Sequence, residues 1–303
     1  MNNQNKESAG AIVWRFIYPI LMFIGLDVFL EILFIVIYMA SLIGSGVVIT
    51  ADNVYEVAND MTNYIYDKAL YITAIRCVIL IPLYFLFLHM DKKRDIKYNR
   101  YYEYTPYNKV WLLLVVVAGA AAAIGFNHVV PSVLEAVQLF LNSVLHLDVD
   151  VFATYNELSE IIYSGGPVLQ IIATGILCPM VEELLFRGLI FKRIRTYLGF
   201  LPSMLISAAV FGLIHGNVVQ FLYAFILGCF MAFVYEKFKT IWAPILFHQS
   251  ANLIAVIITS LIGEEIGLST GTYVLVVVAE LAVAFVALKI IDMKVKRERI
   301  ITG

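Results

Sequence analysis

Charge is scarce in this chain of 303 residues: Asp, Glu, Lys and Arg make up 15% of it, and the formal net charge is -2. A soluble domain carries about 25% charged residues, so an ordinary water-facing surface is excluded. With so little net charge, no overall field draws the chain toward nucleic acid, and no nucleic-acid partner is expected. Cysteine is rarer still. Cys77, Cys178 and Cys229 are the three present, each inside an apolar run. So few cysteines exclude a disulfide scaffold; they match no metal-ligand spacing and read as small packing residues. With 18 glycines and 8 prolines, collagen-like and low-complexity chains are excluded as well. What abounds is hydrophobic sequence, at 61% with a mean hydropathy of +0.87. The expected fold is all-α, a polytopic membrane bundle with the lipid bilayer as its surroundings.

About 20 apolar residues are needed to cross the hydrocarbon core as a helix. Eight segments meet or approach that length, near 16–43, 70–89, 110–130, 167–190, 201–216, 218–236, 241–263 and 272–291. The first is too long for the apolar part of a signal peptide and carries Asp27 and Glu31, so a retained span is expected. Residues 133–147 are apolar but contain Glu135, Gln138, Asn142 and His146, the pattern of an interfacial or re-entrant helix. Lys and Arg gather before span 1 and after spans 2, 4, 6 and 8, whereas 131–166 contains neither. By the positive-inside rule both termini are then cytoplasmic, in a multi-pass protein expected in the cell membrane. Four regions follow. Residues 1–130 hold three spans that could form a recognition module, and 131–166 form an outer loop with the interfacial helix. Residues 167–263 form the core that holds the chemistry, and 264–303 hold the last span and a basic cytoplasmic tail.

An ionisable group inside the bilayer is costly, and each is a functional-site hypothesis. Glu31 on span 1 and Arg76 on span 2 come out at similar depth, which predicts an ion pair between them; Glu280 on span 8 has no evident partner. Spans 4, 5 and 7 are denser. Glu183 and Arg187 are four apart on one helix face, and Glu182 is rotated about 100° from Glu183. Pro179 lacks an N–H and is expected to kink the helix just before the carboxylates. His215 lies one turn after Phe211, and His248 and Asn252 are again four apart. Glu182 and His215 are equidistant from the turn at 198–202, so an antiparallel hairpin sets them at equal depth.

Read in order, these segments are Glu182-Glu183-Leu-Leu-Phe-Arg187, Phe211-Gly-Leu-Ile-His215 and His248-Gln-Ser-Ala-Asn252. They resemble the EExxxR, FxxxH and HxxxN motifs of the CAAX protease and bacteriocin-processing (CPBP or Abi) family of intramembrane peptidases, over about 165–260. The resemblance implies that Glu182 and His215 activate a water and that His248 and Asn252 stabilise the oxyanion, with Glu183 and Arg187 supporting them. It implies a membrane-associated peptide as substrate, either a CAAX-type prenylated peptide or a bacteriocin, leader or signalling peptide, cleaved near the cytoplasmic face. No cofactor is expected. A zinc-dependent protease using Glu182, His215 and His248 is the alternative chemistry. A non-catalytic bacteriocin self-immunity or scaffold protein is the alternative function; a transporter using the intramembrane carboxylates ranks below both.

Overall fold

A backbone surrounded by lipid must satisfy its own hydrogen bonds, and long apolar runs do so as helices. The computed structural model describes residues 7–97, 107–163, 165–259 and 270–301. These contain nine helices and no strand: α1 (Ala9–Gly44), α2 (Val54–Lys97), α3 (Trp111–Val144), α4 (Ala153–Tyr163), α5 (167–195), α6 (Phe200–Leu213), α7 (Val218–Phe238), α8 (Trp242–Ile257) and α9 (Thr270–Ile301). Six of them, α1, α2, α3, α5, α7 and α9, are long and apolar enough to cross a membrane. At 14 and 16 residues, α6 and α8 are shorter. The fold is a polytopic helical bundle. Readings that rest on Arg100, on Glu264 and Glu265, or on the side chains of Lys296, Arg297 and Arg299 lie outside the described residues.

The bundle is built around α5. Every residue from Val181 to Phe191 is buried, as expected of a helix that is apolar on all sides. By contrast α1 buries a single stripe, Arg15, Pro19, Phe23 and Leu30, and turns its other faces outward. In the middle of the bundle α3 packs closely against both α8 and α9. Its small residues Ala118, Gly119, Ala122 and Ala123 allow the approach. A Cβ added at Gly119 would run into the Phe247 carbonyl and Ser250 Oγ of α8. Gly119→Ala is therefore expected to push α3 off α8 at a cost of about 1–3 kcal/mol. Thermal unfolding of the detergent-solubilised protein measures this, and an unchanged Tm would mean that the two helices separate freely.

Two expectations differ from what is found. The stretch 133–147, expected as a separate interfacial or re-entrant helix, is largely the continuation of the third span, because α3 runs unbroken through Pro131 to Val144. At about 1.5 Å per residue, its 34 residues reach some 51 Å and outlast the hydrocarbon core. The expected Glu31–Arg76 pair is replaced by Asp27–Arg76, at 2.7 Å. Asp27 lies one turn from Glu31 on the same face, a shift within the error of counting residues along two helices.

One end of the bundle is tied by buried charges. Asp91 of α2 accepts from Arg15 Nη2 of α1 at 2.9 Å and from Arg193 Nε of α5 at 2.6 Å. Arg193 also donates to the Arg15 carbonyl and to the Tyr18 hydroxyl, and Lys192 pairs with Asp95 at 3.0 Å. Three helices are thereby locked in register at the end where the sequence gathers its basic residues.

Candidate active site

The sequence places a proline in the middle of α5, and the helix answers by widening rather than simply bending. Residues Ile171–Leu177 and Leu184–Phe191 are π-helical, and they flank the α-helical turn Cys178–Glu183 that carries both carboxylates. Such wide turns mark functional positions in many helices. In the first of them the Cys178 N–H bonds back five residues to the Ala173 carbonyl. The next bond in that pattern would run from residue 179 to the Thr174 carbonyl, and Pro179 has no N–H to make it. Asn252 of α8 fills the gap, with Nδ2 donating to the Thr174 carbonyl at 2.9 Å. One turn closer to the start of α8, Gln249 Nε2 donates to the Ile176 carbonyl at 3.1 Å. The second wide turn is tied in the same way by Ser207 of α6, whose hydroxyl donates to the Phe186 carbonyl at 3.1 Å.

Between the wide turns the charged groups form a chain. Arg187 Nη1 donates to Glu183 Oε1 at 2.7 Å, both side chains fully buried, and Arg187 Nη2 donates to the Gly228 carbonyl of α7 at 3.1 Å. His248 Nδ1 lies 3.0 Å from the same Glu183 oxygen. A carboxylate oxygen that already accepts from Arg187 is an acceptor here, so Nδ1 carries the hydrogen. The other nitrogen, Nε2, faces Glu182 Oε2 at 3.6 Å. Glu182 Oε1 accepts from the Cys178 thiol at 3.2 Å.

Phe211 organises the rest. Its ring receives the Arg187 guanidinium at 4.6 Å, and both imidazoles meet it at steep angles, His215 at 5.0 Å and His248 at 5.7 Å. His215 Nδ1 is hydrogen-bonded to the Phe211 carbonyl at 2.8 Å, which assigns the hydrogen to Nδ1 and leaves Nε2 as an acceptor. Of the residues singled out in the sequence, Glu182, Glu183, Arg187 and His248 are in direct contact. Among the described residues no bond joins Glu182 to His215, and Asn252 enters through the α5 backbone. Thr174, Gln249 and Phe211 have roles that the sequence did not reveal. The first two follow from the π turn, which a residue pattern does not announce. The third had a signal, as the first letter of the FxxxH motif.

The zinc alternative needs Glu182, His215 and His248 around one point. Among the described residues no three His, Cys, Asp or Glu side chains are placed to hold a metal ion, and both nitrogens of His248 face carboxylates. The site as arranged does not fit a zinc shell.

Comparison with known proteins falls on the same stretch. Residues 164–254 match the family described as type II CAAX prenyl endopeptidase, Rce1-like. A curated relative, "Putative membrane peptidase YdiL" of Bacillus subtilis (strain 168), is 36% identical over 89 residues, which make up 29% of this chain and 36% of that protein. The matched part thus spans about a third of the relative. No solved structure matches the chain. The matched stretch, 164–254, contains all three motifs, in agreement with the resemblance drawn from them.

Proposed function

We propose that the chain is an intramembrane endopeptidase that hydrolyses a membrane-associated peptide with a water activated at Glu182. The observation that carries this reading is the chain Glu182–His248–Glu183–Arg187, closed into the buried centre of α5. Glu182 is the proton acceptor, its side chain buried and its Oε2 turned toward His248. His215, with Nε2 free to accept, is the second group to hold the water. His248, held through Nδ1 by Glu183, presents Nε2 beside Glu182, where it stabilises the oxyanion of the tetrahedral intermediate. The Asn252 amide has two N–H donors; one holds the Thr174 carbonyl, and the other serves the oxyanion. Donors of this kind commonly contribute about 3–4 kcal/mol each. Glu183 and Arg187 orient His248 without touching substrate.

The substrate class is a CAAX-type prenylated peptide or a bacteriocin, leader or signalling peptide, reached from the cytoplasmic side of the cell membrane. Peptide termini in the native host decide the matter, compared by mass spectrometry between strains carrying the wild-type gene, Glu182→Gln and no gene. Specific termini are expected to vanish in both altered strains while the Glu182→Gln protein stays at its normal level. Matching profiles, together with a phenotype on deletion, would replace the peptidase reading with a non-catalytic immunity or scaffold role.

A further inference from the structure

The two oxygens of Glu182 do not have the same surroundings. Oε2 faces His248, whereas Oε1 is held by a thiol, Cys178 Sγ, at 3.2 Å. Cys178 precedes Glu182 by four residues, so both lie on one face of the same helical turn. Behind it stands Cys77 of α2, fully buried and a neighbour of Cys178. A thiol has a single hydrogen, and Cys178 gives its hydrogen to Glu182. The result is a pair of neighbouring thiols beside Glu182. Cys77 joins it from a helix outside the family-matched stretch. Arg76, beside Cys77, pairs with Asp27 at 2.7 Å and lies over the Phe23 ring at 4.5 Å, and its charge also faces both thiols. The Cys178 thiol is the group on this side that donates a hydrogen bond to the carboxylate. A buried cysteine usually serves as a small apolar filler; Cys178 instead has its hydrogen aimed at a carboxylate oxygen.

We propose that Cys178, supported by Cys77, is a positioning residue for Glu182, fixing Oε1 so that Oε2 stays turned toward His248 and the reacting water. The inference rests on Glu182 being the water-activating base. It adds that the orientation of the base depends on a thiol backed by α2. It also implies sensitivity to oxidation. A dithiol oxidant such as diamide would join the two sulfurs, losing both thiol hydrogens as its N=N bond is reduced to the hydrazine, and Glu182 would lose its donor.

The test uses purified full-length protein and a synthetic peptide spanning the cut site found by comparing wild type with Glu182→Gln. Cys178→Ala is expected to lower kcat by about tenfold with KM unchanged, the loss of one hydrogen bond to a charged group. Cys178→Ser, which keeps a donor, is expected to restore most of that rate. Diamide is expected to yield a Cys77–Cys178 disulfide, seen by mass spectrometry, and to lower activity in parallel until a reductant restores it. Full activity in Cys178→Ala overturns the proposal. So does an equal loss in the Ala and Ser variants accompanied by a lower Tm, which would make the residue a packing element. If Glu182→Gln itself removes no termini, the peptidase reading falls and this inference falls with it. That result is distinct from a Cys178 variant that works beside a dead Glu182 variant.

Discussion

Glu182→Gln and Glu183→Gln, one residue apart, are expected to fail in different ways. Glu182→Gln keeps the shape of the side chain and an oxygen for the Cys178 thiol, but it removes the carboxylate proposed as the base. Turnover of the cut-site peptide should fall by about 10²–10⁴-fold, the usual contribution of general base catalysis, with Tm nearly unchanged. Glu183 is the counter-charge of Arg187, and neither side chain has any exposure. Taking it away leaves a buried guanidinium with the Gly228 carbonyl and the Phe211 face as its partners. Breaking a buried pair from one side costs about 3–5 kcal/mol. Glu183→Gln should therefore unfold at a temperature lower by about 10 °C, and the double variant Glu183→Gln/Arg187→Met should recover much of that loss without recovering activity. Thermal unfolding in detergent and the peptide assay separate the cases. Equal Tm for both single variants would contradict the burial of the pair.

Asp91→Ala is expected to be as damaging to stability, from the other end of the molecule. Asp91 is 3% exposed and holds two guanidinium groups that are themselves 6% and 3% exposed, Arg15 and Arg193. Its removal leaves Arg15 with Glu7, and Arg193 with a hydroxyl and a carbonyl. The uncompensated buried charge costs about 3–5 kcal/mol, and the loss falls on the joint between α1, α2 and α5. Limited proteolysis should then release the α1 segment at temperatures where the wild type resists, and Tm should drop. Asp95→Ala is the control. It removes a buried carboxylate from one partner, Lys192, whose side chain is 14% exposed against 7% and 3% for Arg15 and Arg193, so the charge left behind keeps more of its water and a smaller loss is expected. A Tm for Asp91→Ala no lower than for Asp95→Ala would show that the three-helix joint does not depend on this carboxylate.

Much of the architecture was legible in advance because lipid imposes simple rules. Each of the eight apolar segments became a helix, six of them long enough to span and two shorter, with boundaries shifted by up to about sixteen residues where polar extensions continued a helix beyond its span, as at both ends of α2. The pairing of side chains was less legible, for reasons that can be named. Counting residues from a turn places Glu182 and His215 at one depth but does not fix the rotation of either helix. The two π-helical stretches of α5 then rotate the Glu182–Glu183 turn away from what a regular 3.6-residue period gives. Glu183 and Arg187 meet as their spacing predicts, because four residues still bring two side chains to one face. The thiol contact with Glu182 was hidden for a different reason. Cys77 and Cys178 lie a hundred residues apart in apolar sequence, and only the spacing of Cys178 before Glu182 hinted at a contact.

The shortness of α6 has a consequence for the lipid around it. Its 14 residues rise about 21 Å, well below a hydrocarbon core of about 30 Å. The corner that follows binds its own polar groups through Asn217, which caps α7 and donates to the His215 carbonyl and to Gln220 Oε1. A corner so self-sufficient can sit below the headgroups without penalty, and a bilayer meeting a short apolar wall accommodates it by drawing inward. The membrane at this side of the protein is then expected to be locally thin, so that the distance from water to His215 is set by the protein as well as by the lipid.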